Sequence, residues 1–194
     1  RETAGYAAGM SDKDIESYMK NKKRYEGGWE NSLIGGHTLG HYMSAVAQGI
    51  VNPGVTAEEK EKLTERLNYI IDALNDCQKK TDGVNGLEGY IFGATLPNSS
   101  FKKNVALQFD NVEKGRANIA TEAWVPWYTM HKILAGLVDS YQIAGNKTAL
   151  EVANKLGTWI ADRANNWSSS TQSTVLDIEY GGMNDALYQL YKVT

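Results

Sequence analysis

Residues 27–48 read GGWENSLIGGHTLGHYMSAVAQ, and the fold turns on how the second half of this stretch is taken. From position 33 to 50, nearly every residue is apolar or small, with Leu33, Ile34, Leu39, Met43, Ala45, Val46, Ala47 and Ile50 the main ones. A helix that is apolar all round is buried on most sides. An inner helix is therefore expected over 33–50, stopped by Pro53. His37 and His41, four residues apart, share one face of it. That spacing can hold zinc in the pattern HExxH, where the glutamate is the general base. Here the pattern is HTLGH, and Thr38 stands in the glutamate's place. A third ligand would have to be Glu30 or His131. A zinc protease is set aside on these grounds, while pocket lining, a hydrogen-bonded core role and metal ligation stay open.

The segments after this one alternate in character. Thr56 followed by Glu59 is the pattern of a capping box. It opens an amphipathic helix expected to run to about position 80, with Leu63, Leu67, Ile70, Ile71 and Leu74 as its apolar stripe. Residues 81–122 show no helical period and are expected as a long loop with a short strand near Tyr90 to Phe92. Loops of this length in a compact domain usually serve function or cover something. Residues 127–143 read as a second inner helix, closed by Gly145. Residues 146–167 read as a second amphipathic one. The polar run SSSTQST (168–174) is expected to separate it from a last helix beginning near GGMNDALYQLYKV. Inner and outer helices in alternation, joined as hairpins, predict an all-α chain of the α/α toroid ((α/α)6 barrel) type, with about half of the ring present. An ordinary helical bundle is the competing fold.

The totals agree with a folded module. The chain has 194 residues, 42% of them hydrophobic, and a net charge of -3. No block of basic residues suggests nucleic acid. The single cysteine, Cys77, excludes an internal disulfide and a cysteine-rich zinc site. No apolar run of about eighteen residues predicts a membrane span. The opening RETAGYAAGM has neither an initiator methionine nor the apolar core of a signal peptide, and LYQLYKVT ends without a C-cap glycine. The expectation is a single partial domain, residues 1–194, inside a longer protein. Its exposed inner faces would favour self-association or pairing with the rest of that protein.

Two further motifs carry candidate chemistry. EAWVPWYTMHKI (122–133) clusters Trp124, Trp127, Tyr128 and His131 at a helix entry where Pro126 is tolerated. Aromatic faces pack on sugar C–H surfaces and their polar tips bond hydroxyls; a packed helix entry is the plain alternative. EYGGMNDALYQLY (179–191) places Asn184 and Asp185 in a first helical turn, where an acid also suits the helix dipole. Gly181 and Gly182 before them allow a tight start or a close backbone approach. Glu30 and Glu179 are the other candidate acids, since glycoside hydrolysis commonly uses a carboxylate pair.

Taken in order, GGHTLGHYMSAVA (35–47), WVPWYTMHKILAGLVDSY (124–141) and EYGGMNDALYQLYKVT (179–194) resemble the β-L-arabinofuranosidase glycoside hydrolases, families 127 and 146, formerly a bacterial domain of unknown function. DGVNGLEGYIFGA (82–94) resembles the glycine–tyrosine loop of the same group, and the likeness runs from about Gly27 to Thr194. The resemblance implies an (α/α)6 barrel followed by β-rich domains, and removal of L-arabinofuranose from plant-type glycans with retention of configuration. It implies a zinc-held cysteine nucleophile, with other cysteines and a glutamate as zinc ligands, and a separate acid/base glutamate, all downstream of these motifs. Cys77 falls on no family motif and has no evident activating neighbour. By match, the substrate-binding residues are His37, His41, Trp127, Tyr128, His131, Gly182, Asn184 and Asp185, the last often glutamate in the family. No catalytic residue and no metal ligand is assigned within the chain; zinc belongs to the intact parent, and the isolated chain is expected to be inactive. The implied partner is a carbohydrate substrate, with neither nucleic acid nor membrane involved. That substrate points to a secreted or cell-surface bacterial protein, with the cytoplasm as the alternative. A non-catalytic carbohydrate-binding or interaction module on the same scaffold is the competing function.

Overall fold

The computed structural model describes residues 1–19, 30, 33–94, 96 and 99–194. Gly27, where the family likeness begins, lies outside the described residues, as do positions 95, 97 and 98 of the expected loop. Among the described residues the structure is helical and contains no strand. Two short helices, α1 (Glu2–Ala7) and α2 (Asp12–Met19), precede α3 (His37–Val51) and α4 (Ala57–Lys79). Then come α5 (Leu107–Glu113), α6 (Pro126–Gln142), α7 (Lys147–Asn165), α8 (Ser169–Ile178) and α9 (Gly182–Tyr191). The inner helix α6 packs between α3 and α9; α4 covers α3, α7 covers α6, and α4 and α7 touch. This is the two-layered hairpin arrangement of an α/α toroid.

Local sequence explains most boundaries. The capping box of α4 is formed: Thr56 Oγ1 accepts from Glu59 N at 3.3 Å and Glu59 Oε2 accepts from Thr56 N at 2.9 Å. Asn146 caps α7 by accepting from Ala149 N at 2.9 Å. Pro126 occupies the first turn of α6, where its missing N–H costs nothing.

Three expectations need correction. The region 81–122 is not simply a loop. It contains α5 and a short 3₁₀ turn, Ser99–Lys102. Seven residues are too few to show a helical period, and α5 is held by tertiary contacts instead. Phe109 and Val112 are fully buried, and Arg163 of α7 reaches Asp110 at 2.5 Å and Glu113 at 2.6 Å. Tyr90 to Phe92 form no strand; their irregular backbone sends aromatic rings into the core, and Tyr90 Oη donates to Val105 O at 2.8 Å. The run 168–174 is not a spacer but the start of α8. Ser168 accepts from Thr171 N at 3.1 Å, and Val175 anchors the helix in the core. Serine-rich runs read as loops because serine favours caps over helix interiors.

The inner helix α3 is also less enclosed than expected. Met43, Val46, Ala47 and Ile50 are buried, while His41, Tyr42, Ala45 and Gln48 are exposed along another face.

The inner helices approach each other through glycines. A Cβ placed on Gly40 would lie 2.1 Å from the carbonyl oxygen of Lys132, and one on Gly136 would lie 2.6 Å from that of Gly40. Backbone thus meets backbone, and neither side can yield by rotating a side chain. On the outer side, Phe109 sits in a nest of rings, with centroids 4.8 Å from Trp127, 4.9 Å from Phe92 and 5.3 Å from Trp159. Edge-to-face pairs of this kind add to simple burial.

Gly40→Ala and Gly136→Ala should each lower stability by about 2–3 kcal/mol through overpacking. Thermal unfolding reads the effect. Unchanged melting temperatures for both variants would contradict the close crossing.

Candidate functional site

The amino-terminal ends of α3, α6 and α9 converge. The His37 ring of α3 lies 6.4 Å from that of Tyr128 on α6, and Tyr128 lies 5.3 Å from His131 one turn further on. His131 then packs on the start of α9: a Cβ on Gly182 would meet its imidazole at 2.4 Å. Only glycine allows this ring to lie there.

Two glutamates hold the helix starts. Glu30 accepts from Gly36 N at 2.6 Å and from Thr38 N at 2.9 Å, serving the open N–H groups of α3. Its Oε1 also meets His37 Nδ1 at 2.8 Å. Burial pushes the Glu30 carboxyl up, but the hydrogen bonds from Thr38 and Gly36 and the neighbouring His37 outweigh it, and its pKa falls below the ordinary value. Glu179, at the end of α8, reaches across to α6, where its Oε2 accepts from Tyr128 N at 2.9 Å. It is 8% exposed, and burial dominates over the Tyr128 and Trp127 backbone N–H groups, pushing its pKa up to about 7. The two candidate acids are therefore helix caps of opposite electrostatic character.

Between these elements lies a cavity of about 510 Å³. His37, Trp124, Trp127, Tyr128, His131, Glu179, Gly182 and Asn184 line it, together with Trp167 and apolar side chains of α7, α8 and α9. Three buried polar atoms on this lining have no hydrogen-bond partner: Glu179 Oε1, Trp127 Nε1 and His131 Nδ1. The fourth such atom among the described residues, Gln78 Oε1, belongs to a side chain that bonds Gly89 O and Val152 O instead. Val125, also on the lining, has φ 43 and ψ 57, and is the one non-glycine with positive φ among the described residues. A β-branched residue there costs about 1–3 kcal/mol, and such strain tends to collect at functional sites.

The sequence-selected residues divide. His37, Trp127, Tyr128, His131, Gly182 and Asn184 line the cavity. His41 and Asp185 do not; both are exposed, with His41 6.3 Å from His37 ring to ring and Asp185 beside Gln189 at 3.4 Å. The pKa of His41 is lowered by burial and by Lys132 and His37. That of His131 is lowered by burial and by Lys132, against the raising influence of the Tyr128 backbone and Asp185. Two imidazoles biased toward neutrality can each donate and accept a hydrogen bond. Trp167 and Val125 escaped sequence reasoning. Trp167 stands next to a serine cap outside every motif, and its 5.3 Å edge contact with Trp127 is a product of tertiary packing.

Among the described residues no group of three or more His, Cys, Asp or Glu could hold a metal ion, and none of the helices is long and apolar enough to cross a membrane. Cys77 is buried on α4, with Tyr18 Oη 3.9 Å away. Over residues 9–194 the chain matches the family described as beta-L-arabinofuranosidase, GH127 catalytic domain. No curated protein matches the chain.

Glu179 makes stability depend on pH with a defined sign. Its folded pKa of about 7 exceeds its ordinary value of 4.5, so across that window the folded state holds a proton that the unfolded state has lost. Stability falls as pH rises through the window, by an amount on the order of 3 kcal/mol, and is level above it. Glu179→Gln should remove this slope in thermal melts taken from pH 4.5 to 8. A slope identical in wild type and variant would contradict the assignment.

Proposed function

The chain belongs to the GH127 β-L-arabinofuranosidase catalytic-domain family, and on that premise we propose that it supplies the sugar-binding wall of a glycoside hydrolase acting on L-arabinofuranosides. The single observation that carries the proposal is the cavity where α3, α6 and α9 begin, with three tryptophans and two histidines around it. A furanose offers a C–H face for the rings and hydroxyls for the imidazoles and the Tyr128 phenol. His37, Trp127, Tyr128, His131, Gly182 and Asn184 form this wall. His41 and Asp185 belong to its open side, where they meet more distant parts of a glycan.

The nucleophile and the acid/base are assigned to a part of the protein outside these residues. The placement of Cys77 supports this, since it lies in the outer layer, away from the cavity. The zinc implied by the family does not fit the described residues, which gather no donor set for it. Self-association or pairing with further chain is proposed along α8 and α9, where Leu176, Tyr180, Tyr188 and Tyr191 are exposed.

A non-catalytic sugar-binding module is the second reading. It is favoured by one observation: Glu30 and Glu179 are both committed to helix N-termini rather than facing each other as a carboxylate pair. Assay of the intact protein on a panel of furanosides separates the two readings. Cleavage of an L-arabinofuranoside supports the hydrolase; binding without cleavage supports the module.

Tyr128→Phe removes a hydroxyl and little packing, because this ring is 39% exposed. It should weaken binding of methyl L-arabinofuranoside about three- to tenfold, with an unchanged melting temperature, as expected for one lost hydrogen bond. Calorimetric titration measures it. Equal affinity in the variant would remove Tyr128 from the wall.

A further inference from the structure

We infer that Glu179 is a ligand-binding residue of the cavity, presenting a protonated carboxyl O–H to an acceptor oxygen of an uncharged, sugar-like ligand. The inference rests on the proposed sugar-binding reading and deepens it.

The argument begins with an asymmetry between the two oxygens. Oε2 is occupied by the Tyr128 N–H at 2.9 Å, whereas Oε1 is buried without a partner on a residue that lines the cavity. The carbonyl oxygen of a carboxylic acid is a better acceptor than its hydroxyl oxygen, so the Tyr128 N–H on Oε2 favours the carbonyl there and the hydroxyl at the other oxygen. The proton therefore resides on Oε1 and makes it a donor. Trp127 Nε1–H, on the same lining, is a second donor without an acceptor. A buried donor left unpaired costs about 1–3 kcal/mol. Two of them beside one cavity, among apolar and aromatic walls, describe a site made for a neutral molecule with a C–H face and oxygen acceptors.

An anion is a poorer occupant. Once Glu179 ionises, Oε1 becomes an acceptor in a poorly solvated place and repels negative charge. The other charged and titratable groups near it are His37 of α3, Tyr128, His131 and Lys132 of α6, Asp185 of α9, and the adjacent Tyr180. From α7 and α8 the cavity receives Ile160, Ala164, Val175, Leu176 and Ile178, which do not titrate. Among these groups Glu179 is the buried carboxyl, and its neutral form supplies a donor that ionisation removes.

Glutamine at this position makes a sharp test. Its carbonyl oxygen accepts from Tyr128 N–H as Oε2 does, and its amide is a donor at every pH. Binding of methyl L-arabinofuranoside is measured by tryptophan fluorescence at pH 5.5 and pH 8 for wild type, Glu179→Gln and Trp127→Phe. Wild type should bind about tenfold more weakly at pH 8, the size of one charge-sensitive hydrogen bond. Glu179→Gln should bind at pH 8 as wild type does at pH 5.5. Trp127→Phe, which keeps a ring and loses the N–H, should bind more weakly at both pH values while keeping the wild-type ratio between them. A purely structural role for Glu179 would leave affinity independent of pH in wild type and Gln variant alike, and that result overturns the inference. No binding by wild type at either pH overturns the sugar-binding reading, and this inference with it.

Discussion

Backbone contact between α3 and α6 governs the rest of the structure. With Gly40 and Gly136 at the crossing, the two inner helices lie closer than any side chain would permit. Their first turns are thereby brought together, and His37, Tyr128 and His131 become neighbours although 91 positions separate the first two in the chain. Gly182 repeats the device at α9, giving up a Cβ so that the His131 ring can rest on the helix start. Small residues here act through what they admit rather than through freedom of the chain.

Close inner helices create an electrostatic problem at their shared end. Each helix start exposes N–H groups and a partial positive charge, and Lys132 adds a full one nearby. Glu30 answers this on α3 as a carboxylate. Glu179 answers it on α6 from deep burial, where its charge is poorly tolerated. The same residue type thus serves one helix as an anion and the other as a group that titrates near neutrality. The difference comes from surroundings that no local pattern encodes.

Long helices were legible in the chain because their apolar period and caps are local. The Thr56–Glu59 box stands where the sequence puts it, and Asn146 caps α7 at the start of the expected amphipathic helix. The alternation of inner and outer helices followed from composition, and the family from three motifs in order. The short elements were not legible: α5 owes its existence to Arg163 and to Phe109's ring nest, and α8 to a serine cap plus one buried valine. For the site, spacing found His37, Tyr128 and His131 but could not tell that His41, on the same face, would stay outside the cavity. It also could not reveal which glutamate is dry. Burial of Glu179 depends on α6, α8 and α9 meeting, and that is a tertiary fact.

The chain has three histidines, so proton NMR of their ring Cε1–H groups gives one signal for each. Titration with methyl L-arabinofuranoside reads the proposed wall directly. The account predicts that the signals of His37 and His131 move together along one binding curve, while that of exposed His41 shifts least. Movement of His41 alone, or of none of the three at saturating sugar, would contradict it.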